Sequence, residues 1–397
     1  MEYKAWEENT AKSITFIVTK DCQLACKYCY LVGKNSKESM TYEVARQAID
    51  YILAHEDDTQ EESVIWDFIG GEPFLEIELI DKICDYLKVE MFRRQHHWFN
   101  SYRFSFSTNG INYHTPAVQA FIKKNIEHLS IGITIDGTEI KHDLNRIYKG
   151  DGRGSYKDVV RNIPLWLEQF PNGATKVTIS SADIPYIKES VLHLYSLGIH
   201  EVNINCVFED VWNEGDDKKF EEQLLQLADS IIDGGYYKDY ACSFYSETIG
   251  KPLNSKLQNE NWCGSGRMLS IDSVGNFYPC TRFAQYSLRD KRAWIIGNIH
   301  DGIDKNKLRP FLTLDRTTQS RQECIDCEVA SGCAWCQGEN YDAAESDTIY
   351  QRSVAICKMH KARVRANNYY WNKLYRKLEL EGESKNSVKK TSIEQNC

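Results

Sequence analysis

Three cysteines near the amino terminus, Cys22, Cys26 and Cys29, are spaced as C-x-x-x-C-x-x-C directly after an apolar, strand-like segment. This spacing can give a [4Fe-4S] cube three thiolates while its fourth iron receives no protein ligand. An iron with an open position can hold a substrate or a cofactor, so the triad indicates chemistry more than electron storage. A partial zinc site is the alternative, but a closed zinc site needs a fourth ligand and none lies nearby in the sequence.

A second set of seven cysteines lies in the last third of the chain. It consists of Cys263, Cys280, Cys324, Cys327, Cys333, Cys336 and Cys357. The two central C-x-x-C pairs are only five residues apart, whereas ribbon-type zinc sites separate their pairs by ~15–20 residues. Iron–sulfur ligation is therefore favoured over zinc. In a reducing compartment disulfides are rare, so metal ligation is the leading explanation for the fourteen cysteines of the chain.

The cysteines are positioned by alternating strands and helices. Strands are predicted at Ser13–Thr19, Val64–Ile69, Tyr102–Ser107, Leu129–Ile135, Lys176–Ser180 and Glu201–Val207. Helices are predicted at Tyr42–His55, Glu78–Arg93, Pro116–Lys124, Tyr156–Phe170, Pro185–Leu197 and Lys218–Ile232. Six such units predict an α/β fold with a parallel sheet, as a partial (β/α)6 barrel of the TIM type.

Chemistry-bearing residues follow the first four predicted strands. The cysteine triad follows the first strand, Gly70-Gly71-Glu72-Pro73 the second, Ser107-Thr108-Asn109-Gly110 the third and Asp136-Gly137 the fourth. In parallel α/β sheets the ligand lies at the carboxyl ends of the strands. The agreement of residue type with position is stronger evidence than any one motif.

Composition and charge exclude several classes of function. The net charge is -9 and the pI about 5.7, which argues against general affinity for nucleic acid or an anionic membrane. The amino terminus has no signal-peptide pattern, and no apolar run reaches the ~20 residues that span a bilayer. We therefore expect a cytoplasmic protein. One basic segment, 358–377, is interpreted either as a solvated helix face or as a docking surface for an acidic peptide.

The sequence around the first triad, Cys22-Gln-Leu-Ala-Cys26-Lys-Tyr28-Cys29, together with Gly-Gly-Glu72-Pro, resembles the radical S-adenosylmethionine (SAM) enzymes. In that family the open iron chelates SAM, and one electron from the cluster releases a 5′-deoxyadenosyl radical. The resemblance implies that Tyr28 packs against adenine and that Glu72 binds the methionine ammonium. It also implies that Gly70 and Gly71 allow close backbone approach. The remaining implied SAM contacts are Ser107, Thr108, Asn109, Thr134 and Arg146. A surface ion pair is the alternative for Arg146.

The second cysteine set resembles the SPASM extension of radical SAM peptide-modifying enzymes, which houses two auxiliary [4Fe-4S] clusters. Three clusters in total are implied. The distal auxiliary cluster would be bound by Cys324, Cys327, Cys333 and Cys357, and the nearer one by Cys263, Cys280 and Cys336. The family usually has three residues between the two cysteines of the last central pair. In this chain only Ala334 and Trp335 separate Cys333 from Cys336.

These resemblances imply four segments. They are an extension at 1–12, a radical SAM partial barrel at 13–235, a cysteine-rich SPASM domain with a carboxyl-terminal helix (about Ala355–Leu380) at 236–380, and a disordered tail at 381–397. Only about a dozen residues precede the first strand, so no leader-binding domain is expected there. Leader recognition would fall to a separate protein, the SPASM region or the basic helix.

Within the family, the stretch from Ile14 through Gly33 looks most like the peptide maturases whose targets carry C-x-x-x repeats. The resemblance implies thioether formation in a cysteine-containing precursor peptide, with an electron donor such as flavodoxin or ferredoxin. Anaerobic sulfatase maturases are the nearest competitor, but they have an acidic base where this chain has Thr281. A non-catalytic iron–sulfur or zinc scaffold is the third alternative, and it leaves Glu72 unexplained.

Overall fold

The structure is a computed structural model that describes residues 11–34, 36–55, 61–252 and 263–391. Residues 1–10 of the predicted extension and 392–397 of the predicted tail lie outside this range. The chain forms two compact units. The first comprises the chain up to Ala25, residues 29–132 and 264–314, and the second comprises residues 26–28, 133–263 and 315 onward. This division does not follow a single boundary at residue 235, and the predicted domains rest on motif positions alone.

The first unit is built on an eight-stranded sheet. Its strands are β1 (Lys12–Thr19), β2 (Val64–Gly70), β3 (Tyr102–Thr108), β4 (Leu129–Ile133), β8 (Leu269–Ile271), β9 (Asn276–Tyr278), β10 (Gly297–Asn298) and β11 (Gly302–Ile303). Their spatial order is β11-β10-β9-β8-β1-β2-β3-β4. Strands β8, β1, β2 and β3 pair in parallel, and β8 to β11 pair antiparallel. The helices are α1 (Tyr42–Ala54), α2 (Ile77–Arg93), α3 (Pro116–Asn125) and α9 (Lys305–Thr313).

Aromatic side chains form the core on one face of this sheet. Phe16 of β1 stacks on Phe68 of β2 with ring centroids 5.7 Å apart, and Phe68 stacks on Phe106 of β3 at 5.3 Å. Phe106 in turn meets Phe121 of α3 edge-on at 5.6 Å. Because side chains alternate between the two faces of a strand, these rings lie on the same face of the sheet, and this face packs against the helices. Intervening residues such as Ser105 and Ser107 are half-buried on the opposite face.

The second unit contains the three-stranded parallel sheet β5 (Ala174–Ile179), β6 (Glu201–Cys206) and β7 (Ala241–Cys242). Its helices are α4 (Glu139–Asn145), α5 (Tyr156–Val160), α6 (Ile163–Gln169), α7 (Ile187–Ser196), α8 (Asp216–Asp233), α10 (Arg316–Gln319), α11 (Gln322–Ile325), α12 (Gln337–Ala343) and α13 (Cys357–Glu381).

The α/β class with parallel strands is confirmed, and all six predicted strands are present with ends within two residues of the prediction. They are distributed over two sheets, β1 to β4 in one and β5 and β6 in the other. The prediction of one helix over Tyr156–Phe170 was wrong: α5 ends at Val160 and α6 begins at Ile163. Pro164 explains the break, because it has no N–H to donate to the Val160 carbonyl four residues earlier.

The predicted disorder of the tail does not hold for its described part. Residues Lys385–Ser387 form a 3-10 turn, and Val388 is buried. The Lys389 N–H donates to the Tyr237 carbonyl at 2.8 Å, and Lys390 pairs with Glu247 at 2.8 Å. The segment up to residue 391 therefore packs on the second unit. None of the helices in the described ranges has the length and apolar character required to cross a bilayer.

Candidate active site

In the first unit, Cys22 lies in the turn that follows β1. It is buried, and its sulfur accepts hydrogen bonds from the Leu24 N–H at 3.4 Å and from Asn109 Nδ2 at 3.9 Å. Asn109 also donates to the side chain of Gln23 at 3.0 Å. Two predicted site residues from different strand ends, Cys22 and Asn109, are thus brought into contact. Cys29 belongs to the same unit and is half-buried.

Gly70 and Gly71 let the end of β2 approach the end of β1 closely. A Cβ on Gly70 would lie 2.3 Å from the Thr19 carbonyl oxygen, and one on Gly71 would lie 2.1 Å from that of Asp21. The Gly71 N–H donates to Thr19 at 2.9 Å, and the Glu72 N–H donates to Asp21 at 2.8 Å. The close approach predicted for these glycines is therefore found between two segments of the chain, beside the cysteine turn.

The Glu72 carboxylate joins the ends of β2 and β3. It is 1% exposed and accepts from the Phe74 N–H at 3.1 Å, from Thr108 Oγ1 at 2.6 Å and from the Asn109 N–H at 2.7 Å. Thr108 and Asn109 therefore hold Glu72 in place. Ser107 lies on the opposite face of β3 and is half-buried. Hydrogen bonds to an ionised carboxylate are among the stronger ones, so this clamp makes the turn rigid.

The segment Cys26–Tyr28 packs within the second unit, on the end of α4. The Lys27 N–H donates to the Asn145 carbonyl at 3.1 Å. The Tyr28 hydroxyl donates to Asp136 and accepts from Arg146 Nη1, the latter at 3.1 Å. Burial raises the pKa of Tyr28, and the neighbouring Asp136 acts in the same direction. Tyr28 is thus fixed at its hydroxyl end.

Arg146 is buried, with 7% of its surface exposed, so the surface ion pair considered for it is excluded. Its Nε has no hydrogen-bond partner among the residues that the structure describes. The pKa of Arg146 is raised. Burial alone would lower it, but electrostatic interactions with Tyr28, Cys26 and Asp136 have the larger effect. A buried cation with a donor left over beside Cys26 fits an anionic ligand.

A buried ion network beneath Tyr28 was missed by the sequence analysis. Lys141 is 0% exposed and lies 3.7 Å from Asp136 and 3.5 Å from Asp183, and both carboxylates are also fully buried. Its ammonium donates to the Thr178 carbonyl at 2.8 Å. The pKa of Asp136 is lowered. Burial alone would raise it, but the positive charges of Lys141 and Arg146 have the larger effect. The network therefore holds the acceptor of the Tyr28 hydroxyl in its ionised form.

His142 supports the same network from α4. Its Nδ1 accepts from the Asp136 N–H at 3.2 Å, and its Nε2 lies 3.0 Å from Ser155 Oγ. Because the Ser155 hydroxyl donates to the Arg146 carbonyl at 2.8 Å, the Nε2 proton of a neutral His142 has an acceptor there. Burial lowers the pKa of His142 to about 3. Thr134, the other predicted contact in this unit, is half-buried directly after β4.

Six of the seven later cysteines lie in the second unit, and Cys280 lies in the first. The Gln337 N–H donates to Cys263 at 3.5 Å, and the Glu339 N–H donates to Cys336 at 3.5 Å, so these two sulfurs face the first turn of α12. The Cys333 thiol interacts electrostatically with Cys357 and Cys324. Burial raises the pKa of Cys333, and Arg352 opposes the shift.

Within the described ranges, no group of three or more His, Cys, Asp or Glu side chains is arranged to hold a single metal ion. In a four-iron cube each thiolate binds a different iron, so the ligands of a cube do not converge on one ion.

Comparisons with known proteins agree with this arrangement. Residues 16–203 match the sequence model of the radical SAM superfamily. An uncharacterized protein of Methanocaldococcus jannaschii is 27% identical over 303 residues, which are 75% of this chain and 91% of that protein. The radical SAM cyclopropyl synthase TigE of Paramaledivibacter caminithermalis is 21% identical over 343 residues, 81% of this chain and 67% of TigE.

Among solved structures, native anSMEcpe with bound AdoMet and Kp18Cys peptide superimposes with a TM-score of 0.65 at 19% identity. The match covers 92% of this chain and 99% of anSMEcpe, a sulfatase maturase. At this level of identity the similarity shows a shared fold over nearly the whole chain.

Proposed function

We propose that this protein is a radical SAM enzyme that modifies a ribosomally made precursor peptide, forming thioether crosslinks between cysteine sulfur and carbon in C-x-x-x repeats. The observation that carries the proposal is the buried guanidinium of Arg146 beside Cys26, with its Nε unpartnered within the described part of the chain. This cation lies in the part of the chain that matches the radical SAM model and next to one member of the cysteine triad.

Cys22, Cys26 and Cys29 would hold the first [4Fe-4S] cluster, which supplies reductive cleavage of SAM when it is bound. Arg146 would bind the methionine carboxylate, and the ring of Tyr28 would pack against adenine, its hydroxyl held by Asp136. Glu72, whose carboxylate is held by three hydrogen bonds from the chain, would bind the methionine ammonium. The proposed SAM-binding set is Tyr28, Gly70, Gly71, Glu72, Ser107, Thr108, Asn109, Thr134 and Arg146.

Two auxiliary [4Fe-4S] clusters are proposed on the later cysteines. Cys324, Cys327, Cys333 and Cys357 would hold one, and Cys263, Cys280 and Cys336 would hold the other with one iron open to the substrate thiol. Metal binding lowers the pKa of a thiol, so a thiolate could be presented to the carbon. The reaction would balance as follows. One C–H and one S–H bond of the peptide are replaced by one C–S bond, and one SAM is cleaved to methionine and 5′-deoxyadenosine, which takes up the carbon-bound hydrogen. The thiol hydrogen leaves as a proton, and the electron that starts the cleavage of SAM is recovered when the C–S bond forms.

A peptide substrate is supported by a cavity of about 780 Å³ in the second unit. The lining includes Trp212 of the loop after β6 and Asp217 of the first turn of α8. It also includes Arg352, which precedes α13, and Lys358 of the first turn of α13. A cavity of this size accommodates several residues of an extended peptide. Walls of opposite charge would fix the direction in which the peptide lies.

The names of the similar proteins suggest other products. TigE is a cyclopropyl synthase, and anSMEcpe is a sulfatase maturase. A sulfatase maturase is expected to have a catalytic carboxylate at the position that Thr281 occupies in this chain. The next residue, Arg282, has its guanidinium carbon 4.4 Å from the centre of the Tyr30 ring. Neither side chain is a general base at neutral pH, which favours the thioether reaction.

The first experiment is anaerobic purification with iron and sulfide analysis, followed by reduction in the presence of SAM. About twelve irons per chain and release of 5′-deoxyadenosine are expected. Cys26→Ala should lose about four irons and all cleavage of SAM. Cys84→Ala is the matched control, because Cys84 is fully buried in α2 among apolar residues and should keep both. A colourless zinc protein would overturn the proposal.

The second experiment is co-expression with a small peptide that carries C-x-x-x repeats, followed by alkylation with iodoacetamide and tandem mass spectrometry. A thioether removes two hydrogens and also one alkylatable thiol per bridge. A carbon–carbon bond of the cyclopropane type removes two hydrogens and leaves the thiol reactive. Loss of two hydrogens with full alkylation would therefore contradict the thioether assignment and leave the radical SAM assignment standing.

A further inference from the structure

Two buried guanidinium groups lie beside three of the cysteines predicted to bind the distal cluster, Cys324, Cys327 and Cys333. Arg316 and Arg352 are each 5% exposed. Both lie over the ring of Trp335, with their guanidinium carbons 6.0 and 5.6 Å from its centre. Two like charges are thus held on one buried aromatic side chain.

Arg352 contacts a predicted ligand directly. Its Nη2 donates to Cys333 Sγ at 3.1 Å, and its Nη1 donates to Ser320 Oγ at 3.2 Å. The Ser320 contact orients the guanidinium so that the second nitrogen points at sulfur. Hydrogen bonds from N–H groups to ligating sulfur atoms are one of the ways in which a protein sets the potential of an iron–sulfur cluster.

Arg316 is oriented by a single main-chain contact and has a donor left over. Its Nη2 donates to the Ala330 carbonyl at 2.8 Å, while its Nε has no hydrogen-bond partner within the described residues. The guanidinium interacts electrostatically with Cys333, Cys324 and Cys327. A buried N–H without a partner is unfavourable, so this donor is suited to an acceptor that binds beside the cysteines.

The charges around these two arginines do not balance within the protein side chains that the structure describes. Among those residues, neither guanidinium lies within 4.0 Å of a carboxylate. The groups that interact with them electrostatically are the sulfurs of the predicted ligands. A buried cation without a counter-ion is strongly unfavourable. The pair is therefore matched to an anion, and a [4Fe-4S] cube with four thiolates is an anion whose charge becomes more negative by one on reduction.

We propose that Arg316 and Arg352 form a cationic shell around the distal auxiliary cluster that stabilises its reduced state and raises its reduction potential. The inference rests on the proposed function, since it takes the cluster at Cys324, Cys327, Cys333 and Cys357 from it. Such a shell makes this centre an electron acceptor relative to a cluster without cationic neighbours. The arginines are tuning residues, because Arg352 donates to the predicted ligand Cys333 and Arg316 acts on the ligands electrostatically.

The test is a redox titration followed by electron paramagnetic resonance. The background is the full chain with Cys22, Cys26 and Cys29 replaced by alanine, which leaves only the auxiliary centres. The distal signal is the one that disappears in Cys327→Ser. Arg352→Gln should lower the equilibrium constant for reduction of that centre by about tenfold or more, which is about 59 mV for one electron. Arg352→Lys keeps the charge and should shift it less.

Arg365→Gln is the matched control, because Arg365 pairs with Glu221 at 2.6 Å on the exposed side of α13. It should leave the distal potential unchanged. An unchanged potential in Arg352→Gln with intact iron content would overturn the inference. If Arg352→Gln loses the distal irons while Arg352→Lys keeps them, the requirement for a cation is supported directly. If the unmodified chain cleaves SAM but carries no cluster at the four cysteines, the inference fails and the radical SAM proposal survives.

Discussion

The stability of the second unit should depend on pH through one buried histidine. His142 is fully buried, and burial lowers its pKa from 6.5 to about 3. Its Nδ1 accepts the Asp136 N–H, so protonation would place two hydrogens against each other. Between pH 6.5 and 3 the unfolded chain therefore binds a proton that the folded chain does not, and stability falls as the pH falls.

The size of the effect follows from the two pKa values. With an unfolded pKa of 6.5 and a folded value of about 3, the free energy of unfolding should fall by about 1.4 kcal/mol between pH 7.5 and 5.5 because of His142 alone. His142→Gln removes the titrating group and should lose this part of the pH dependence. The quantity to compare is the slope of the free energy of unfolding against pH in the wild type and in His142→Gln. A variant that is less stable at every pH still gives this slope.

The assay is urea unfolding of the apoprotein under reducing conditions at pH 7.5, 6.5 and 5.5, followed by far-ultraviolet circular dichroism. His114→Gln is the control, because the His114 side chain is exposed in the first unit. It should keep the wild-type slope. Equal slopes for the wild type and His142→Gln would refute the reasoning that a neutral, buried His142 supports Asp136.

Other expected outcomes concern the predicted site residues of each unit and the cavity. Lys141→Met leaves two buried carboxylates without their cation and should cost ~3–5 kcal/mol in urea unfolding, whereas Lys157→Met, at an exposed lysine, should cost little. Gly71→Ala forces a Cβ against the Asp21 carbonyl and should cost ~1–3 kcal/mol and abolish the spectral response of the first cluster to SAM. Thr108→Val removes a donor from the buried Glu72 carboxylate and should cost ~1–3 kcal/mol, read from thermal unfolding. Trp212→Ala should weaken binding of the precursor peptide about fivefold or more by fluorescence anisotropy without changing cleavage of SAM.

The parallel strands were predictable because each is an apolar run bounded by polar turn residues. Strands β1 to β6 are six to eight residues long apart from β4, which has five. Strands of that length carry a visible pattern. Strands β8 to β11 have only two or three residues each, and no periodicity can be read from so few. Their formation depends on pairing with segments distant in sequence, such as that of β8 with β1.

The ion network shows why part of the environment of Tyr28 in the second unit could not be predicted. In α4, Ile140 is 68% exposed whereas the adjacent Lys141 is 0% exposed, the reverse of what hydropathy favours. Burial of the lysine is decided by its partners Asp136 and Asp183, and Asp183 is 42 residues further along the chain. Of these residues, the sequence pattern pointed only to Asp136, because it is a polar residue close after a predicted strand. The charge state of a buried residue depends on the tertiary contacts that compensate it.

The basic segment of α13 bears on how a peptide would be recognised. Three of its seven lysines and arginines are already paired within the second unit, as Arg365–Glu221, Lys373–Asp229 and Lys377–Glu381. Arg363 is directed inward, where its guanidinium donates to the Phe244 carbonyl at 3.1 Å and to that of Ser243. An acidic peptide docking on this helix would have to displace carboxylates held at 2.6–2.9 Å. Lys358, by contrast, lines the cavity beside Trp212, so the charge that this helix offers to a peptide is best placed there. Charge complementarity thus favours peptide recognition at the cavity over the exposed helix face.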